Sequence, residues 1–278
     1  MGKWFARYFL NKGFEIIISG RNEAKLREVK KDLDVSIASN IEAVKQADVI
    51  IISVSIDSFE DVVKEISPFV RPAQIVVDIT SIKEFPVATM LKYLPDATVL
   101  GTHPLFGPGA KDLISQNFVL TPADPRGFDI AEQVKEYLIE KGARVSVMTP
   151  REHDEMMAVV LGLAHFISIV AADTLAGIEN LPQLKAVGGS TYRVLTTLVE
   201  SVISEDPDLY ATLQMRLPGL AALEDKFQKN AAKWAELVKH SDKPGFARDM
   251  AALKQKYTDK NTNFGHAYEN MYKIIEWL

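Results

Sequence analysis

Short β-rich runs alternate with amphipathic helical patterns through the first half of this chain and then stop, and this change of pattern constrains the fold more than any other feature. The candidate strands are residues 14–19, 35–37, 49–54, 75–78, 98–100, 118–120 and 145–148. Between them lie helical patterns such as NEAKLREVKKDL, NIEAVKQA, DSFEDVVKEI and DIAEQVKEYLIEK. The run DVIIISVSI is apolar on both faces, as a central strand of a parallel sheet must be. Such alternation predicts a doubly wound α/β architecture. After TPREHDE no strand signal recurs, and the remainder reads as long helices broken at GIENLPQ, SEDPDL, RLPG and HSDKPG. The expected organisation is a sheet domain over residues 1–149 and an all-helical domain over 150–278. Ligands of open parallel sheets lie beyond the carboxyl ends of the strands, so the helical domain is expected to close that crevice.

The chain opens as if within a βαβ unit. Trp4, Phe5, Tyr8 and Phe9 share one helix face, Gly13 follows the helix, and a strand pattern comes next. In a dinucleotide-binding, Rossmann-type sheet the preceding strand ends in G-x-G-x-x-G, whose glycines let the backbone approach a pyrophosphate at the helix N-terminus. Gly2 fits the last of those glycines, which leaves the first strand, the central one of the sheet, outside the sequence. Read alone, the same Met-Gly is an ordinary start before an amphipathic helix. The next strand ends in IISGRN. Gly20, Arg21 and Asn22 thus stand where an NAD-binding fold carries its acidic ribose ligand, and an arginine there suits the 2′-phosphate of NADP. Ser53 and Ser55, at the end of the central apolar run, are further cofactor-binding candidates.

Composition narrows the class. With 278 residues, 47% of them hydrophobic, the chain can bury a full core. A net charge of −5 gives no reason to expect a nucleic-acid surface. Zero cysteines exclude disulfides, thiolate metal sites and a cysteine nucleophile, and no metal site is expected; the cytoplasm is the natural compartment. Lys3 and Arg7 interrupt the only apolar stretch near the start, so no signal peptide is read there. The segment MMAVVLGLAHFISIVAA is shorter than the ~20 residues of a membrane span and reads as a helix buried in protein.

Three further stretches carry chemistry. In GTHPLFGPGA three glycines and two prolines clamp His103 into a stiff loop after a strand, which is what a positioned acid or base requires. A loop histidine bonded to backbone would look the same. DITSIKE ends another strand and delivers Ser81 and Lys83 to the same crevice, although Ser81 is also a helix N-cap candidate with Glu84 completing a capping box. In EHDEMMAVVLGLAHF, His165 falls on the same α-helical face as Asp154, about 16 Å along the axis. A histidine in so apolar a helix needs a polar partner or a cavity.

Together the Gly2 helix, SGRN, DITSIKE, HPLFGP, EHDEMMAVVLGLAHF and EDPDLYATLQM resemble one family, the prephenate and arogenate dehydrogenases of tyrosine biosynthesis. The resemblance implies an enzyme using NADP or NAD on a cyclohexadiene that bears a 4-hydroxyl, a ring carboxylate and a side-chain carboxylate. It implies that His103 accepts the hydrogen bond of the hydroxyl, that Ser81 contacts both this hydroxyl and the cofactor, and that His165 lines the substrate pocket. A homodimer through the helical domain is implied as well. One departure stands out: Ser201 aligns where the family carries an arginine for the side-chain carboxylate, leaving Arg193 and Arg216 as substitutes. The alternatives to a prephenate dehydrogenase are an arogenate dehydrogenase, another two-domain NADP oxidoreductase of the deazaflavin-dependent type, and a non-catalytic sensor of nucleotide or tyrosine.

Overall fold

The computed structural model describes residues 1–72, 74–260 and 263–277. They form two compact units, Met1–Met157 and Ala158–Leu278. In the first unit the elements run α1 (Gly2–Leu10), β1 (Ile17–Ile18), α2 (Glu23–Asp32), β2 (Ser36–Ile37), α3 (Asn40–Gln46), β3 (Val49–Ile52) and α4 (Ile56–Ile66). There follow β4 (Ile75–Asp78), α5 (Glu84–Tyr93), β5 (Thr98–Pro104), β6 (Asn117–Thr121), α6 (Pro125–Glu140), β7 (Arg144–Val147) and α7 (Pro150–Met157). Local chemistry sets many of these boundaries. Ser39 and Glu42 close a capping box on α3, and Asp124 caps α6, whose first residue is Pro125. Along α4 the buried positions Ile56, Phe59, Val63 and Ile66 recur at helical spacing.

β3, β4, β5, β6 and β7 form one sheet in that order, with β5 and β6 antiparallel and the other neighbours parallel. β1 and β2 pair in parallel as a separate two-stranded sheet. Among the described residues no ladder joins β1 to β3. Pleating sends alternate residues to opposite faces. Val76 and Val99 enter a cluster with Val44, Phe59, Val63 and Met90 of α3, α4 and α5. Their neighbours Val77 and Leu100 pack instead with Trp4, Phe5, Phe118 and Leu138. Helices therefore cover both faces of the sheet.

All the strands expected from the sequence form, several of them with shifted ends. The consequential shift is at β5, expected to stop at Leu100. It continues to Pro104 because β6 pairs with it antiparallel, Gly101 opposite Thr121 and Pro104 opposite Phe118. His103 accordingly lies inside a strand, opposite Val119, and not in a loop after it.

The second unit is helical throughout its described length. A π-helical segment, Ala158–Leu163, leads into α8 (Ala164–Ala176), followed by α9 (Leu181–Val187), α10 (Ser190–Ile203), α11 (Pro207–Arg216), α12 (Leu220–Lys239), α13 (Lys243–Lys260) and α14 (Ala267–Trp277). A π turn takes extra residues, so the α-helical count that put Asp154 and His165 on one face does not carry through this segment. Gly162 lies within it against Leu220, where an added Cβ would stand 2.7 Å from the leucine side chain. The apolar stretch is not a buried helix within the single chain, as its sequence suggested. Residues 150–176 are long and apolar enough to cross a membrane by length and composition, with only 22% of the window buried. Val159, Val160, Ile169 and Val170 are exposed.

Candidate active site

The site in the first unit is built where β4 and β5 end. Asp78, the last residue of β4, and Lys83 are both fully buried and form an ion pair. The backbone N–H of Thr80 donates to the same carboxylate oxygen at 2.9 Å. Lys83 Nζ also donates to the Thr102 carbonyl at 2.8 Å, and Thr102 Oγ1 donates to the Asp78 carbonyl at 2.8 Å. The residue preceding His103 is thereby fastened from two directions. Burial draws the Lys83 pKa down, with the charge of Asp78 opposing it.

His103 is 5% exposed. Its Nδ1 lies 2.8 Å from Nε2 of His153, and His153 Nδ1 lies 2.7 Å from Oδ1 of Asp154. Asp154 in turn accepts the backbone N–H of Lys83 at 2.7 Å on Oδ1 and that of Glu84 at 2.9 Å on Oδ2. Burial first, then the charges of Lys83 and His153, hold the His103 pKa well below the ordinary histidine value. The imidazole is neutral at physiological pH.

This network corrects the expected role of Ser81. The orphan N–H groups at the start of α5 are satisfied by Asp154, from another helix, and α5 has no side-chain cap from its own N-terminal flank. Ser81 is half-buried beside the network and takes no part in the cap. His153 and Asp154 had no assigned chemistry in the sequence beyond membership of the EHD motif.

The expected cofactor residues fall into two contacts at the carboxyl ends of β1 and β3. Gly2 opens α1, and a Cβ added there would stand 3.1 Å from Ser53 Oγ, so the helix N-terminus approaches β3 as closely as glycine allows. The Arg21 guanidinium donates to Ser58 Oγ at 3.0 Å, and Ser55 Oγ donates to the same hydroxyl at 3.1 Å. Asn22 has a structural task as well, since its side-chain oxygen accepts the Lys25 N–H and caps α2.

The remaining candidates lie in the second unit. His165, on α8, has its ring edge-on to Tyr210 with centroids 4.6 Å apart, and its Nδ1 is buried without a hydrogen-bond partner. The polar partner that its apolar helix calls for is not present at Nδ1. Burial lowers its pKa. Arg193 is exposed on α10, which packs against α8, and Arg216 is exposed at the end of α11. Ser201 Oγ donates to the Leu198 carbonyl of its own helix at 2.8 Å.

The first unit thus carries a helix N-terminus at the carboxyl end of β3 and a buried histidine in β5, and a helical unit follows it. Residues 5–147 match the family model of the prephenate dehydrogenase nucleotide-binding domain, and residues 149–252 match that of the prephenate dehydrogenase dimerization domain. The chain belongs to the prephenate dehydrogenase family. It is 36% identical over 254 residues to a probable arogenate/prephenate dehydrogenase of Methanocaldococcus jannaschii, covering 90% of this chain and 57% of that protein. The T-protein of Enterobacter agglomerans is 31% identical over 219 residues, or 78% of this chain and 58% of that protein. The chain thus spans less than two thirds of the length of these relatives. Among solved structures, prephenate dehydrogenase from A. aeolicus in complex with hydroxyphenyl propionate and NAD+ superposes with a TM-score of 0.75 at 19% identity, covering 94% of this chain and 95% of that one. Synechocystis arogenate dehydrogenase superposes with a TM-score of 0.68 at 19% identity, with the same coverage. At that identity the likeness is one of fold.

Proposed function

We propose that the chain is a prephenate dehydrogenase that prefers NADP and accepts NAD, and that carries out the oxidative decarboxylation of prephenate to 4-hydroxyphenylpyruvate. The observation that carries this reading is the neutral, rigidly held His103 at the sheet end. The close approach of Gly2 to Ser53 and the pairing of Arg21 and Ser55 on Ser58 fit a dinucleotide lying across the ends of β1 and β3. Gly2, Ser53 and Ser55 would hold the phosphates, Arg21 and Asn22 the adenosine ribose, and Ser81 the nicotinamide end. When bound, the cofactor supplies the hydride acceptor.

The chain's own residues handle the proton and the charges. His103 accepts the proton of the 4-hydroxyl as its carbon loses hydride and the bond to the ring carboxylate breaks, releasing carbon dioxide and aromatising the ring. His103 then returns this proton to the phenolate oxygen, so the reaction has no net proton. Ser81 donates to the same oxygen. His165, whose buried Nδ1 needs a partner, contacts the substrate.

Production of NADPH is measured with prephenate and with arogenate. Turnover of prephenate in preference supports the assignment, arogenate alone reassigns the enzyme, and cofactor binding without turnover of either acid indicates a sensor. With Arg21 in place of an acidic ribose ligand, the affinity order NADP over NAD is expected to reverse in Arg21→Asp. Equal affinities before and after the change would refute the NADP assignment.

For the side-chain carboxylate we propose Arg193, with Arg216 as the alternative. Truncating one partner of a desolvated ion pair costs about 2–5 kcal/mol, so Arg193→Ala should raise the KM for prephenate at least ~30-fold and leave NADP binding intact. A silent Arg193→Ala with a weakened Arg216→Ala moves the role to Arg216. The exposed apolar residues of the 150–176 helix are proposed to be covered by a second copy of the chain in a soluble homodimer.

A further inference from the structure

We infer that His153 and Asp154 are positioning residues that fix the tautomer of His103, keeping its Nδ1 protonated and its Nε2 a bare acceptor. For its kinetic consequences this inference rests on the reading of His103 as the proton acceptor.

The direction of the hydrogen-bond chain follows from its anchored end. Asp154 receives two main-chain N–H groups, from Lys83 on Oδ1 and Glu84 on Oδ2, and such groups can only donate. The carboxylate is thus held as an acceptor at the N-terminus of α5, where a negative charge is favoured. The contact of 2.7 Å with His153 Nδ1 is therefore a donation from the imidazole N–H. With that proton on Nδ1 as the ring's one proton, His153 Nε2 has only a lone pair to offer. Its neighbour at 2.8 Å, His103 Nδ1, must then carry a proton of its own. The opposite tautomer of His103 would set two lone pairs against each other inside a dry site.

Burial and the nearby Lys83 charge keep His103 neutral, so one ring proton is all it has. The chain assigns that proton to Nδ1 and leaves Nε2 open to a substrate hydroxyl. His153 and Asp154 are themselves 0% and 4% exposed, which removes water as a competing partner that could reset the order. Without the pair, a neutral imidazole would divide between its two tautomers, one of which cannot accept a proton on Nε2.

The test begins with protein labelled with 15N at its five histidines, without substrate, above neutral pH. Long-range proton–nitrogen correlations distinguish protonated from bare ring nitrogens, and the His103→Asn variant assigns the His103 signals. A protonated Nδ1 and bare Nε2 on His103 are expected. Finding Nε2 protonated, as it would be if His153 carried a full charge and donated instead, overturns the inference outright.

In Asp154→Asn the amide nitrogen can donate to His153, reversing the chain, so the His103 proton should move to Nε2 at least in part. Turnover should fall by ~10²–10⁴-fold with KM for both ligands little changed. A second pair of variants covers the case in which Asp154→Asn does not fold. In His153→Gln the amide N–H donates to Asp154 and the amide oxygen accepts from His103, preserving the direction, so turnover should stay within ~10-fold of the parent. His153→Leu offers no acceptor and should lose ~10²-fold or more. Equal losses in both His153 variants, or an Asp154→Asn protein with unchanged tautomer, would reject the relay. The expected tautomer in a protein that turns over neither acid would retain the relay and reject the proposed reaction.

Discussion

Replacing His103 with asparagine is expected to reduce turnover by about 10²–10⁴-fold, the usual contribution of a positioned general base, while cofactor affinity persists. The imidazole sits within β5, flanked by a fastened Thr102 and opposite Val119, so removing its basicity should leave the strand in place. Parallel pH measurements give the sign. Burial and the Lys83 charge depress the His103 pKa, so activity should hold as pH falls past about 6.5, the ordinary histidine value, and be lost only through the lower folded value. Stability behaves differently over the same range. The unfolded chain takes up the proton first, so the folded state loses stability as pH falls below about 6.5, and the loss levels off below the folded pKa. An acid limb of kcat/KM above the ordinary histidine value, or near-normal turnover of His103→Asn, would remove His103 from the chemistry.

The second large effect concerns stability. Lys83 and Asp78 are both fully buried, and removing one member of such a pair leaves the other charge uncompensated, at a cost of about 3–5 kcal/mol. Lys83→Met should therefore destabilise the first unit by that amount in chemical denaturation. Asp78 Oδ2 lacks a hydrogen-bond partner, and Oδ1 would keep only the neutral donors of Thr80, which do not compensate a full charge. Adding Asp78→Asn to the Lys83 variant should recover part of the loss by removing the charge. A loss under about 1 kcal/mol, typical of exposed pairs, would show that the pair is open to solvent in solution.

Much of this architecture is legible in the sequence because hydrophobic periodicity and the Gly–Pro punctuation are local signals. The run IVVD becomes β4 at the expected residues, whereas DVIII, expected as a central strand, stands at the edge of the five-stranded sheet, because strand position is set by pairing and not by local apolarity. His103 is conspicuous because prolines and glycines surround it. What escapes is everything that depends on pairing across distance. The antiparallel approach of β6 lengthens β5 past Leu100, and nothing in residues 98–104 encodes it. Ser81 and Glu84 have the spacing of a capping box, yet Asp154 takes the N–H groups, because the fold brings a stronger acceptor there. The apolar run from Met156 carries no mark telling a helix buried in its own chain from one exposed on its surface.

The cap on α5 also bears on how the protein is assembled and how it can be divided. A chain made from its N-terminus completes β4, α5 and β5 well before residues 153 and 154 are synthesised. Until they arrive, the first turn of α5 lacks its acceptor and His103 lacks its neighbour, so the sheet can close before the site exists. A nucleotide-binding fragment cut at residue 149, where the strand pattern ends, would keep every strand and omit His153 and Asp154. A fragment cut at Met157 would keep them. The compact first unit ends one helix beyond its last strand.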